Sequence, residues 1–142
     1  MNTTEIIKED FRTQVESFEK VMASVPGAFF GDNESCPLKH TFSDGIYVRE
    51  IFIPKDMLLV GKIHRHQHHN ILLEGEVSVV TESGGVERLK APMSMISPAM
   101  TKRVVYAHTD VRWITIHSNP NNETDLEKIE EYVIAKTYRI EA

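Results

Sequence analysis

Two hydrophobic periods divide the chain. Between Thr3 and about Met22, the residues Ile7, Phe11, Val15, Phe18 and Met22 recur at steps of three and four, with Glu, Lys and Arg between them. That spacing lines one face of an amphipathic helix. Asn2 followed by Glu5 matches a capping box, and Ser24-Val25-Pro26-Gly27 stops the pattern. Residues 28–37 read as a loop. From Leu38 the period shortens to two. Ile46–Ile53, Met57–Ile63, Ile71–Val80, Val86–Leu89, Met93–Ile96, Arg103–Ala107 and Arg112–His117 are rich in Val, Ile and aromatic residues, as strands are. Turn-forming residues separate them at Asp44-Gly45, Lys55-Asp56, Ser83-Gly84-Gly85 and Thr109-Asp110. Short strands without intervening helices predict an antiparallel sandwich or barrel. The helical period then returns, with Leu126, Ile129 and Val133 (and Ile134 at its margin) behind a capping-box pair, Thr124 and Glu127.

The expected architecture is therefore all-β: a barrel of about eight short strands over residues 38–118, flanked by a helix in 1–27 and a helix and tail in 119–142. All 142 residues read as one domain. A hydrophobic share of 41% supplies a core and argues against a disordered chain. With 16 basic against 21 acidic residues, nucleic acid is not an expected partner. No apolar run is long enough to span a membrane, and the first ten residues lack a signal-peptide layout. The lone Cys36 cannot form an internal disulfide, so a reducing, cytoplasmic compartment is expected. Phosphate-binding loops, nucleophile elbows and Cys-x-x-Cys pairs are absent from the sequence, which excludes P-loop nucleotide hydrolysis and serine hydrolysis.

Candidate chemistry concentrates in the stretch Gly61-Lys62-Ile63-His64-Arg65-His66-Gln67-His68-His69-Asn70. In a strand, alternate side chains share a face, so His64, His66 and His68 are expected to point into the barrel and His69 away from it. Three imidazoles at one point suit a divalent Zn, Fe, Ni or Mn ion and leave positions open for water or substrate. His117 shares a strand phase with Trp113 and Thr115. If that phase faces inward, His117 is a fourth ligand or an acid/base; Ile114 and Ile116 compete for the same interior. Tyr47, Tyr106 and Trp113 read as core or interface residues, Glu74 and Glu76 as solvated, and Cys36 as no nucleophile.

The same stretch resembles the first motif of the cupin superfamily, a His-x-His pair followed by Glu and then Gly. Gly61, His64, His66 and Gly75 carry the likeness, with Glu76-Val77-Ser78-Val79 as the downstream strand. Counted back from Gly75, the family's Glu falls on His68 and its histidines on Lys62 and His64; with a shortened turn the pair is His64 and His66. The second cupin motif, Pro-x-Gly-x-x-His, corresponds to Pro98-Ala99-Met100-Thr101-Lys102-Arg103. Met100 replaces its Gly, and Arg103 stands where the family has a metal-ligating His. An arginine cannot ligate a metal as a cation but grips carboxylates and phosphates, so Arg103, with Lys102 beside it, is a candidate anchor for an anionic ligand. More narrowly, the pattern resembles small cupin-like proteins of tailed bacteriophages. That likeness rests on His64-x-His66-x-His68, Ala91-Pro92, Pro98-x-x-Thr101-Lys102-Arg103, Trp113-x-Thr115-x-His117 and Thr124-Asp125-Leu126-Glu127. It implies a double-stranded β-helix, or jelly-roll, fold and a host-cytoplasmic setting.

Three functions are consistent with these residues. The first is a metal-dependent enzyme acting on a small anionic molecule, with His117 as acid/base. The second is a non-catalytic barrel that sequesters a small ligand. The third is a structural or virion-associated oligomer tied through histidines. Exposed strand edges make a homodimer the expected assembly.

Overall fold

Alternation in residues 38–118 produces two antiparallel sheets packed face to face. The computed structural model of the chain describes residues 36–81 and 85–135; the helix expected in 1–27 lies outside them. The first six strands are β1 (Leu38–Ser43), β2 (Ile46–Ile53), β3 (Leu58–Val60), β4 (Ile63–His64), β5 (His68–Glu74) and β6 (Glu76–Thr81). They are followed by β7 (Gly85–Lys90), β8 (Met93–Ser97), β9 (Val104–Ala107) and β10 (Val111–Ser118). The helix α1 (Leu126–Val133) leads into a short β11 (Ile134–Ala135). The five-stranded sheet has the order β1-β2-β10-β5-β8 and the four-stranded sheet β3-β9-β6-β7, while β11 pairs with β4. Neighbours far apart in sequence, such as β2 with β10 and β3 with β9, make this a rolled sandwich rather than a meander.

Between the sheets lie Ile53, Leu59, Leu72, Val77, Val79, Val105, Ala107, Val111 and Trp113, together with Cys36, which is fully buried there. The β2 strand spans the expected Ile46–Ile53. The expected single strand Ile71–Val80 is instead two, one in each sheet, because Gly75 turns the chain between β5 and β6. Gly75 has φ +96°, and a Cβ there would stand 2.3 Å from the Asp110 carbonyl oxygen, so only glycine fits. Likewise Met57–Ile63 breaks into β3 and β4 at Gly61, whose N–H donates to the Arg103 carbonyl at 2.8 Å.

The expected C-terminal helix forms, with its cap one residue later than the capping-box reading. Asp125, not Thr124, accepts from the backbone N–H groups of Glu127 and Lys128. The apolar stripe buries Ile129 and Val133. Ile134, the marginal member of that stripe, leaves the helix and pairs with His64 in β11–β4. Among the described residues no helix is long and apolar enough to cross a membrane.

Candidate metal and anion site in the barrel mouth

Register fixes which side chains enter the barrel. Pairing of β10 with β2 sets Trp113 opposite Ile51, Thr115 opposite Arg49 and His117 opposite Tyr47. Pairing with β5 sets Trp113 opposite Leu72 and Thr115 opposite Asn70. Trp113 and His117 are buried while Ile114 and Ile116 are only half-buried, so the Trp113-Thr115-His117 phase faces inward. Ile114 and Ile116 lie on the outer face of the five-stranded sheet.

His64, His68 and His117 meet. Their ring centroids are 4.4 Å (His64–His68), 4.8 Å (His68–His117) and 5.3 Å (His64–His117) apart. His68 and His117 are 3% and 4% exposed. His66 does not join them. The shared face expected for His64, His66 and His68 needs an unbroken strand, and the chain bends between the end of β4 at His64 and the start of β5 at His68. Arg65 and His66 serve the helix instead. The Arg65 N–H and Nε donate to the carbonyls of Val133 and Ile134, and His66 Nε2 donates to the Tyr132 carbonyl at 3.0 Å, its ring against the Tyr132 ring. His69 faces out and is exposed.

Valence assigns the protons. His68 Nδ1 lies 3.1 Å from the His66 carbonyl, which can only accept, so Nδ1 carries the hydrogen and Nε2 the lone pair. That Nε2 is 3.0 Å from His64 Nδ1, which therefore donates to it. A backbone carbonyl that holds one imidazole nitrogen and aims the other is the usual support of a metal-ligating histidine. Two nitrogens bonded to a zinc-sized ion at about 2.0–2.1 Å stand about 3.3 Å apart, close to the observed spacing. His117 Nε2 shares a hydrogen bond with Thr115 Oγ1 at 3.0 Å. Among the described residues no group of three or more His, Cys, Asp or Glu side chains is placed to hold a metal ion: the histidine nitrogens are turned onto one another and onto Thr115.

The surroundings of all three rings favour the neutral imidazole. Burial holds His64 well below the ordinary histidine value, helped by the neighbouring His68, His117, Arg49 and Arg103. Burial likewise lowers His68, and it brings His117 down to about 3 with help from His68 and Arg49. Neutral imidazole is the form that binds a metal. On donor chemistry the set fits a divalent nitrogen-seeking ion.

Beside the histidines is a cavity of about 100 Å³. Arg49, Lys62, His64, Asn70, Thr101, Arg103 and Thr115 supply its polar lining, with Ile53, Leu59, Val105 and Trp113 among its apolar walls. No Asp or Glu lines it among the described residues. Asn70 is fixed in place, donating to Ser97 Oγ at 2.6 Å and accepting from Trp113 Nε1 at 3.0 Å. Arg103 reaches this cavity as the sequence suggested. Lys102, one residue out of phase, is buried outside its lining. Glu74 and Glu76 pair with Arg112 and Arg88 on the surface. Sequence reasoning overlooked Arg49 and Asn70. The signal was there in Arg49's phase, two residues from both Tyr47 and Ile51 on the inward face of β2.

Arg103 is carried by the turn over residues 98–103, the segment that resembles the second cupin motif. Met100, at the motif's Gly position, has φ +64°, the left-handed conformation that glycine adopts without strain. The Met100 N–H donates to the His64 carbonyl at 2.6 Å, and the His64 N–H to the Thr101 carbonyl at 3.1 Å. The two motifs are thereby clipped together at His64.

Neither a family model nor a curated protein matches the chain; solved structures do. One is a protein of Salmonella typhimurium assigned as ethanolamine utilization protein Q, with 17% identity over 67% of this chain and 79% of that one, at a TM-score of 0.53. An RmlC-like cupin of Methanocaldococcus jannaschii with a double-stranded β-helix fold matches at 13% identity, over 63% and 85%, with a TM-score of 0.51. KdgF of Halomonas matches at 15% identity, over 66% and 86%, with a TM-score of 0.53. The fold is the double-stranded β-helix of the cupins. At these identities the likeness speaks for the fold alone.

Proposed function

We propose that this cupin-fold protein holds a divalent metal ion on His64, His68 and His117 and binds a small anionic molecule beside it through Arg103. The observation that carries the reading is the convergence of three imidazoles from β4, β5 and β10, two of them buried and one half-buried, with His68 aimed by a backbone carbonyl. To ligate the ion, His64 and His117 would have to give up their present hydrogen bonds to His68 and Thr115. A divalent ion bound there supplies Lewis acidity or redox chemistry to an adjacent ligand. His117 then serves as a ligand rather than as the acid: a ring with a pKa of about 3 has no proton to give at neutral pH. On this proposal the tailed-phage resemblance of the motifs assigns such an activity to a host cytoplasm.

Elemental analysis of untagged protein tests the site. Wild type is expected to carry near-stoichiometric metal, His66→Ala to keep it, and His68→Ala and His117→Ala to lose most of it. Metal loss in His66→Ala equal to that in His68→Ala would restore the alternating triad His64, His66 and His68. Metal-free, well-folded wild type that takes up no added Zn, Fe, Ni or Mn would end the metal reading.

A further inference from the structure

The cavity in the barrel mouth is bordered by two guanidinium groups and, among the described residues, by no acid. Arg49 enters from β2 and Arg103 from the segment before β9, and both border the same cavity. His64 lines that cavity with them. On the outer surface the exposed arginines Arg88 and Arg112 are paired with glutamates at 2.9–3.2 Å. Arg103 lies 4.0 Å from Met95 Sδ and over the face of Trp113, 5.9 Å from the ring centroid, and Glu87 acts on it only at longer range. Neither Arg49 nor Arg103 has an ion-pair partner among the described residues. The acid nearest Arg49 in effect, Glu130, is already held by Lys62. Both arginines are half-buried; two like charges that border one cavity with no acid in its lining repel one another, and arginine stays charged, so the pair favours an anion from outside the chain.

The walls specify what kind. Past the two guanidinium groups the cavity is lined by Ile53, Leu59, Val105 and the Trp113 ring. Those surfaces cannot replace the hydration that surrounds a phosphate on all sides. A carboxylate has one polar, planar end that matches the arginine fork, and its remaining carbons can lie on an apolar wall. We propose that the mouth binds a small carboxylate with a short apolar tail, its carboxylate between Arg49 and Arg103 and its tail toward Trp113 and Val105. This rests on the reading of the mouth as a ligand site and adds the ligand's class and a second anchor, Arg49.

Calorimetric titration of chelator-treated protein tests it, with butyrate as the probe and acetate, butyramide and inorganic phosphate as comparisons. Butyrate is expected to bind roughly tenfold more tightly than acetate, from two additional buried methylenes. Butyramide and phosphate are expected to bind much more weakly. Arg49→Met and Arg103→Met should each weaken butyrate at least tenfold. Without ligand, both variants should melt at or above the wild-type temperature, because each removes an uncompensated charge. The proposal is overturned by any of four results: no binding of butyrate, butyramide or phosphate binding as tightly, unchanged affinity in either variant, or a lower melting temperature in both. Metal is absent throughout, so a failure of the histidines to hold an ion would not register in these titrations.

Discussion

The inward-facing positions of four strands run from apolar at one end of the barrel to polar at the other. On β10 they are Val111, Trp113, Thr115 and His117; on β2, in the opposite direction, Ile53, Ile51, Arg49 and Tyr47. On β5 they are Leu72, Asn70 and His68, which pair with Met93, Met95 and Ser97 of β8. The closed end is held by packing alone: Leu72, Val77, Ala107 and Val111 have no exposed surface. Toward the mouth the same strand positions carry groups that demand partners. Asn70 finds them in Ser97 and Trp113. The three histidines find one another, a backbone oxygen or the Thr115 hydroxyl, and among the described residues the two arginines form no ion pair. Identical backbone geometry thus supports a stabilising end and an end that is expensive to bury. An arrangement of the second kind makes sense where the missing partner is a ligand.

The sharpest way to separate the two ends is to damage each. Leu72→Ala should cost about 3 kcal/mol, within the range for a fully buried leucine that leaves a cavity, read as a lowered urea midpoint. The folded fraction should keep its metal uptake. A loss below about 1 kcal/mol would mean that the closed end is not the main source of stability.

Acid should attack the mouth. The folded pKa values of His64, His68 and His117 lie below the unfolded value, so the unfolded chain takes up protons that the folded one refuses. The stability these rings contribute is complete above about pH 6.5 and is lost as pH falls below it. For His117 the loss continues down to its folded value of about 3. Each ring adds a slope of up to about 1.4 kcal/mol per pH unit. Urea titrations of chelator-treated protein at pH 7.5, 6 and 5 should show this decline, shallower by about one proton in His117→Asn. Equal stability at all three pH values would mean that the rings are hydrated rather than buried.

The smallest effect is expected at the clip between the motifs. Met100→Gly relieves the left-handed backbone and costs some unfolded-chain entropy, for a net gain of about 0.5–1 kcal/mol, measurable as a raised melting temperature. A decrease would show that the Met100 side chain supports the mouth by packing.

Period-two alternation and turn residues were enough to predict an all-β barrel with a C-terminal helix, because burial of one strand face is written locally in the residue types. The inward phase of β2 was equally legible, and Arg49 could have been found by following it. The histidine cluster drew attention by density alone, and its composition changed on folding. His66 follows His64 by two residues but sits in a bend, where the alternation of a strand no longer holds. His117 is 49 residues from His68 in number yet its near neighbour in space, because β10 lies between β2 and β5. Two phases of β10 were open in the sequence, since Trp113 and His117 on one side and Ile114 and Ile116 on the other both suit a half-buried strand. Cross-strand register with Arg49, Tyr47 and Asn70 decided between them. The sequence by itself determined the kind of fold and the stretch that bears the chemistry; only the tertiary structure decided which three imidazoles and which two guanidinium groups share one cavity, because a site assembled from β2, β4, β5, β10 and the Pro98–Arg103 turn depends on strand pairings that no local pattern encodes.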